Sequence, residues 1–497
     1  MISVTLALLF FTGSLLQGQH TVGLVSGNYA GSAGTVINPS SIANSWLKAD
    51  ISLFSASGFV ENNYFYLPAP EGTIRNIITG EYTFPFISKP YGKGQRSVRA
   101  YYNDQSQKNI FVQSRVTGPS AMFSWRDHVF AVRIGSRAVS STRRVPYDVA
   151  NFSYYGMDFK PQHNIYYVRQ NYNMASMAWY ELNLSYATVL KRSHTNHWSA
   201  GITIGPALGY SGAYITSYDT RYIVYNDSIL NVELLDAELG LSLPFDYEKD
   251  VADWLSPMVR GLGWGMDIGI TWQYRDRSYQ KKYPGNFYIK RFDDYKFKIG
   301  VSIVDIGWIR FTRNAEQHAY DNVSNNRINT NEMEYDNIRD ELDYTSELFY
   351  GSPDASLRAR QFSIYLPTAF SVQMDYRAYE NVFVNAILMV PAWFIDPIIE
   401  RPVVLAVTPR FESEFFEINI PLVLYDYRYP RIGVAVRLAG LTVGSDNLAG
   451  FLRGKDITGV DFYISYKVNL RNDGKHPYTS KGACFNNWRL DLQKYWK

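Results

Sequence analysis

The feature that most constrains this chain is an alternation of apolar and polar residues, sustained for about ten positions or more in segment after segment. From Tyr180 one set reads Tyr180, Leu182, Leu184, Tyr186 and Leu190, and the interleaved set reads Glu181, Asn183, Ser185 and Lys191. The same pattern fills 200–211, 266–275, 362–375 and 460–470, and recurs more weakly at 130–139, 297–303, 416–424 and 432–438. Successive strand side chains point to opposite faces, so each run predicts a strand with one apolar and one polar face. Strands of soluble sheets are usually about five or six residues long. A strand crossing the hydrocarbon layer at a tilt needs about ten. Tyr and Trp often stand at the ends of the runs, where a membrane barrel carries its aromatic girdles. Lipid leaves no unpaired sheet edge satisfied, so the sheet must close. The expectation is an all-β, closed antiparallel transmembrane β-barrel of roughly twelve to sixteen strands. The competing reading is a large soluble sandwich or propeller.

Composition enters where it removes alternatives. Past the extreme N-terminus there is no continuous apolar run of the length a membrane helix needs. The net charge of +3 gives no reason to expect a nucleic-acid partner. The single cysteine, Cys484, allows no intrachain disulfide and stands too late for a lipoprotein anchor. Residues 4–11 form a short apolar core and Leu16-Gln17-Gly18 resembles a cleavage region, so residues 1–18 are expected to be a signal peptide, despite lacking an early Lys or Arg. Long polar segments at 58–107, 146–173 and the acidic 314–352 are expected to be extracellular loops, with a short amphipathic helix at 333–348.

Nothing in the chain nominates catalysis, a cofactor or a metal. No nucleophile elbow, zinc-protease helix or phosphate-binding glycine loop is present. His194 and His197 lack a nearby carboxylate or cysteine and read as polar turn residues. The inward face is more informative. Arg133, Arg137, Glu181, Asp267, Arg275, Asp375, Glu417, Asp461 and Lys467 fall on the polar side of their runs and are the lumen-lining candidates, with Lys191, Lys296 and Lys298 by the same logic. Eleven basic residues between 89 and 144 face two acids. They fit either a cationic constriction or ion pairs between basic and acidic walls. Gly201, Gly205, Gly209 and Gly269, also inward, point to a tightly filled interior rather than a wide pore. Pro206 and Pro367 lie inside alternating runs and are candidate kinks.

Asn38-Pro39-Ser40-Ser41, just before the first strand, resembles the start of FadL-like outer-membrane barrels, and 263–269 looks like one of their mid-barrel strands. The stretches 366–369, 444–448 and 459–463 resemble a Bacteroidota branch of such barrels. The resemblance covers about 27 to 470 through short motifs. It implies an N-terminal plug at 19–45 that includes Asn38 and Pro39, a barrel of roughly fourteen strands over 46–470, and a location in the Gram-negative outer membrane. It also implies binding or passage of a small hydrophobic or amphipathic molecule. Some relatives are instead components of secretion or surface-protein complexes, and that is the alternative. One departure is the end of the chain: the last strand stops near Leu470 and 471–497 reads as a periplasmic tail.

Overall fold

The computed structural model describes residues 22–66, 100–275, 295–448 and 457–471, apart from a few positions within those spans. The expected signal peptide, the C-terminal tail and Cys484 lie outside the described residues. Among the described residues the long alternating runs form one ring of fourteen strands. They are β1 (Leu47–Asn62), β2 (Lys108–Trp125), β3 (His128–Val145), β4 (Tyr172–Arg192), β5 (Asn196–Val224), β6 (Gly261–Tyr274) and β7 (Phe297–Phe311). The second half is β8 (Phe362–Tyr365 and Ala369–Arg377), β9 (Val382–Pro391), β10 (Val404–Glu412), β11 (Phe416–Asn419 and Leu422–Tyr425), β12 (Arg428–Ile432 and Val434–Leu438), β13 (Leu441–Ser445) and β14 (Gly459–Arg471). Each pairs antiparallel with the next. β14 then returns to β1, with Val460 opposite Val60 and Val468 opposite Ile51. The ring has no free edge, as a wall in lipid requires.

The outward face is apolar and exposed, with Ile51, Phe130, Leu184, Ile204, Val301, Val372, Val407 and Phe462 around the girth. Two girdles of outward rings bound it. One runs through Trp198–Trp272, Tyr274–Phe297 and Phe297–Tyr376, and the other through Trp264–Trp308 and Trp308–Tyr365. Phe297 and Trp308 stand at the two ends of β7. At about 3.3 Å per residue and a tilt near 40°, the eleven residues of rise between them span roughly 28 Å of wall, close to the apolar band of membrane barrels. Barrels of this kind sit in outer membranes, and so does this one.

The two ends differ. Short turns close β2–β3 at Arg126-Asp127 and β12–β13 at Ala439-Gly440, where Arg126 and Ala439 take positive φ (57° and 52°). The start of β1 and the end of β14 lie on this side, the periplasmic one. Although residues 275–296 join β6 to β7 on the periplasmic side, most of the long connections emerge at the opposite, extracellular rim. There β5 runs on past the barrel and pairs with the strand Ile229–Ser242, which pairs with Ala315–Asn329. Two helices pack near this sheet, α1 (Tyr147–Tyr155) and α2 (Ile338–Tyr350). Asn337 caps α2 through the Asp340 N–H, acids occupy its first turn, and Gly351 ends it in the left-handed region at φ 73°. The helix therefore starts five residues later than the alternation suggested, because the cap residue decides the start. The acidic 314–352 is mostly strand and helix in this sheet rather than open loop.

The two prolines behave differently. Pro206 sits within an unbroken β5 opposite Trp264. Pro367 divides β8, and residues 305–307 of β7 opposite it make no ladder pair with 366–368.

Candidate functional site: the filled lumen

Residues 22–45 do not join the wall; they fold inside it. Asn38 and Pro39 explain the local form. The Asn38 side chain accepts the Ser40 N–H, and Pro39 opens a 3-10 helix, Pro39–Asn44, at a position where its missing N–H costs nothing. The segment is tied to nearly every quarter of the ring by polar contacts. Asn38 Nδ2 donates to Gln373 Oε1 (2.9 Å), and the Ser40 and Thr271 hydroxyls meet at 2.6 Å. Asn44 donates to Ser199 (2.7 Å) and the Asn28 N–H to Glu412 (2.8 Å). The Ser32 hydroxyl donates to Asp50 (2.9 Å), and Arg410 donates to the Ser26 carbonyl (3.0 Å). Of the four inward glycines, Gly201 and Gly269 face this segment at Pro39 and Asn38, whereas Gly205 and Gly209 face the wall itself.

Above the segment lies a belt of buried charge. Arg137 donates to both carboxylate oxygens of Asp305 (2.6 and 3.1 Å), and Arg401 reaches Asp305 Oδ2 at 2.5 Å. Glu181 lies 3.8 Å from Arg137 and 3.9 Å from Arg133, and Asp267 accepts the Asp305 N–H (2.7 Å). Arg133, Arg137, Glu181 and Asp267 are thus brought together, around a residue the sequence did not single out. Asp305 takes φ 57° at a bulge that breaks the β6–β7 register between Met266 and Ile268. The bulge also reverses the parity of β7: Ser302 and Val304 face in before it, Ile309 and Phe311 after it.

The other candidates form separate groups. Asp375 accepts from Arg410 (3.0 Å) and from the Tyr295 hydroxyl (2.5 Å), with Lys298 at 3.6 Å. Arg410 also pairs with Glu412 at 2.8 Å. Glu417 accepts from Arg437 Nε (2.9 Å), Asp461 accepts the Asp446 N–H (2.6 Å), and Lys467 donates to the carbonyls of Tyr29 and Ala30. Arg275 stands at the periplasmic rim against His197 Nδ1 (3.1 Å). Lys296 lies over the Tyr376 ring, and Lys191 is exposed. Of the two readings of the basic cluster, ion pairing describes Arg133, Arg137, Arg143 and Arg144, and the same pairing holds Arg410 and Arg437 elsewhere in the lumen.

The extracellular half of the lumen departs from the expected polar interior. Phe59, Phe111, Trp179, Phe311, Ile364, Met389, Val404 and Tyr425 all face in and are buried in one apolar cluster. The connection from β9 to β10 folds down into this layer. Ile398 pairs with Tyr365, the Glu400 N–H donates to Ser141 (3.1 Å), and Ile399 is buried in the same cluster. Sequence reasoning missed this loop and its Arg401. The available signal was a connection, 395–402, with two adjacent charges set among residues too apolar for water.

Glu316, His318 and Ser356 stand in relay order, with 3.5 Å from Glu316 to His318 and 2.8 Å from His318 Nδ1 to Ser356 Oγ. Ser356 is wholly buried, so the chain of bonds ties the outer sheet together and gives a substrate no access. Among the described residues no three His, Cys, Asp or Glu converge as a metal site.

No curated protein matches the chain. Among solved structures it is similar to a TodX deltaS2S3 mutant monoaromatic hydrocarbon channel (TM-score 0.41, 8% identity, 92% of this chain and 100% of that one). It is similar also to a Pseudomonas aeruginosa FadL homologue (0.32, 11%, 92% and 99%) and to the translocator domain of the autotransporter NalP from Neisseria meningitidis (0.29, 6%, 85% and 88%). Likeness at these scores carries no argument about function, and the barrel rests on its own strand pairing. A family model described as a family of unknown function (DUF5723) matches residues 49–446, nearly the whole ring. The chain belongs to that family.

Proposed function

We propose that this barrel binds a small hydrophobic or amphipathic molecule and passes it across the outer membrane, and that it is not an enzyme. The observation that carries the reading is the inward apolar layer of the extracellular half. A lumen that only held its wall together, or that passed polar solutes, would have a polar lining throughout. Here an apolar lining at the outer side stands above a polar segment that is no part of the wall. Closure of the ring does not depend on residues 22–45, so the segment is placed to act as a plug. In proteoliposomes the purified protein should speed entry of a hydrophobic solute such as toluene well above empty vesicles, with saturation, and leave a sugar of similar mass excluded. Sealed behaviour towards every hydrophobic solute, together with a protein that co-purifies at fixed ratio, would overturn it. That result would favour the second reading, a docking barrel, which is supported by the sheet beyond the membrane with exposed Tyr166, Tyr218 and Tyr225.

A further inference from the structure

Between the N-terminal segment and the wall formed by β1, β2, β3 and β14 lies a cavity of about 40 Å³. Arg115, Arg133 and Lys467 line it together with the hydroxyl-bearing Ser52 and Thr117, and Val36 of the segment forms part of its cover. No acid is among its lining residues.

The charges around it do not balance locally. Arg137 and Arg401 take Asp305, Arg133 shares Glu181 and donates to the Thr35 hydroxyl (3.2 Å), and Lys467 is held by the Tyr29 and Ala30 carbonyls. Arg115 has no such direct partner, and Glu181 and Asp305 attract it only from beyond ion-pair distance. It is nine-tenths buried and sits directly across from Arg137 on the neighbouring strand. Among the described residues its guanidinium makes no hydrogen bond or ion pair, and its Nε is buried without an acceptor. A buried, unpaired guanidinium is strongly unfavourable, and arginine cannot escape by losing its proton. A counter-charge in the cavity removes the conflict. One water needs roughly 10–15 Å³ of such space, so the cavity takes about three waters or one compact anion. The guanidinium fork matches two oxygens of one anion, which favours an oxyanion over chloride.

We infer that this cavity binds a compact oxyanion of the phosphate class, which neutralises Arg115 and holds the N-terminal segment against the wall. The site goes beyond the transport reading and stands whether or not the barrel conducts. Such an anion arrives either free or as the head group of an amphipathic molecule. Calorimetric titration of the purified full-length protein, in phosphate-free detergent buffer, uses two probes: inorganic phosphate and octyl phosphate. Saturable one-to-one binding of phosphate identifies a free anion, and binding of octyl phosphate alone identifies a head group. Arg115→Gln should weaken binding about tenfold or more, since a hydrogen bond to a charged partner is lost. Arg115→Lys keeps the charge without the fork and should recover it in part. Protease cleavage within the N-terminal segment should slow when the bound probe is added. Failure of both probes to bind the wild-type protein overturns the inference, as does affinity unchanged in Arg115→Gln. Neither result depends on the uptake of a hydrophobic solute.

Discussion

Gly201 and Pro39 meet with no room for a side chain between them: a Cβ on Gly201 falls 2.5 Å from the Pro39 carbonyl carbon and the Ser40 nitrogen. A Cβ on Gly205, further along β5 on the same inward side, runs into the Leu182 carbonyl oxygen of the wall instead. The two glycines therefore separate the segment from the ring. Gly201→Val suits a strand and should leave the barrel folded while pushing the segment off, at a cost of about 1–3 kcal/mol for the overpacked contact. Limited proteolysis should cut within residues 22–45 faster, with the heat-dependent gel shift of the barrel unchanged. Gly205→Val should lower the temperature of that shift. Equal proteolysis in wild type and Gly201→Val would contradict the packing described. At this scale much was legible. Arg133, Arg137, Glu181, Asp375, Glu417 and Lys467 are buried on the inward side, where strand parity puts them, whereas Lys191 is exposed and Arg275 stands at the periplasmic rim. Asp305 was not legible, since a bulge and a positive φ changed the parity of its strand. Nor were partners such as Arg401 and Asp305, which are set by folding across the lumen rather than by spacing.

The same division holds among elements. Uninterrupted strands such as β4 and β5 announce themselves, whereas β11 and β12 are each broken and gave weaker runs. The apolar inner layer was hidden because Trp179 or Phe311 facing inward reads, in one strand, like any lipid-facing residue. Outside the membrane, α1 carries a testable dependence on pH. Asp148 is buried in its first turn and accepts the Tyr222 hydroxyl. Burial pushes its carboxyl up to about 6, although the bond from Tyr222 acts the other way. A raised value means that folding favours the protonated form. The contribution is therefore fully present below the ordinary carboxylate range and is lost as pH rises through about 6. Amide exchange in α1, corrected for its intrinsic pH dependence, should be slower at pH 4.5 than at pH 7.5. The difference should be at most on the order of a hundredfold, since each rise of one in pKa is about a tenfold gain in proton affinity. Asp148→Asn keeps an acceptor without the charge and should abolish the difference. A pH response that persists in Asp148→Asn would assign it to another group.

For the molecule as a whole, the alternation determined a closed ring and the inward glycines anticipated a filled one, but neither showed how the filling is divided. The periplasmic half is polar and holds residues 22–45, a belt of ion pairs crosses the middle, and the outer half is apolar and receives the loop around Ile399. The filled lumen is the central claim, and Ser40, fully buried against Thr271, is the place to test it. In a Cys484→Ser background, Ser40→Cys should resist a membrane-impermeant maleimide in the folded protein and react after heat denaturation. Asn322→Cys, at an exposed extracellular position, should react at once. Labelling of Ser40→Cys in the folded barrel as fast as Asn322→Cys would show an open lumen and contradict the account.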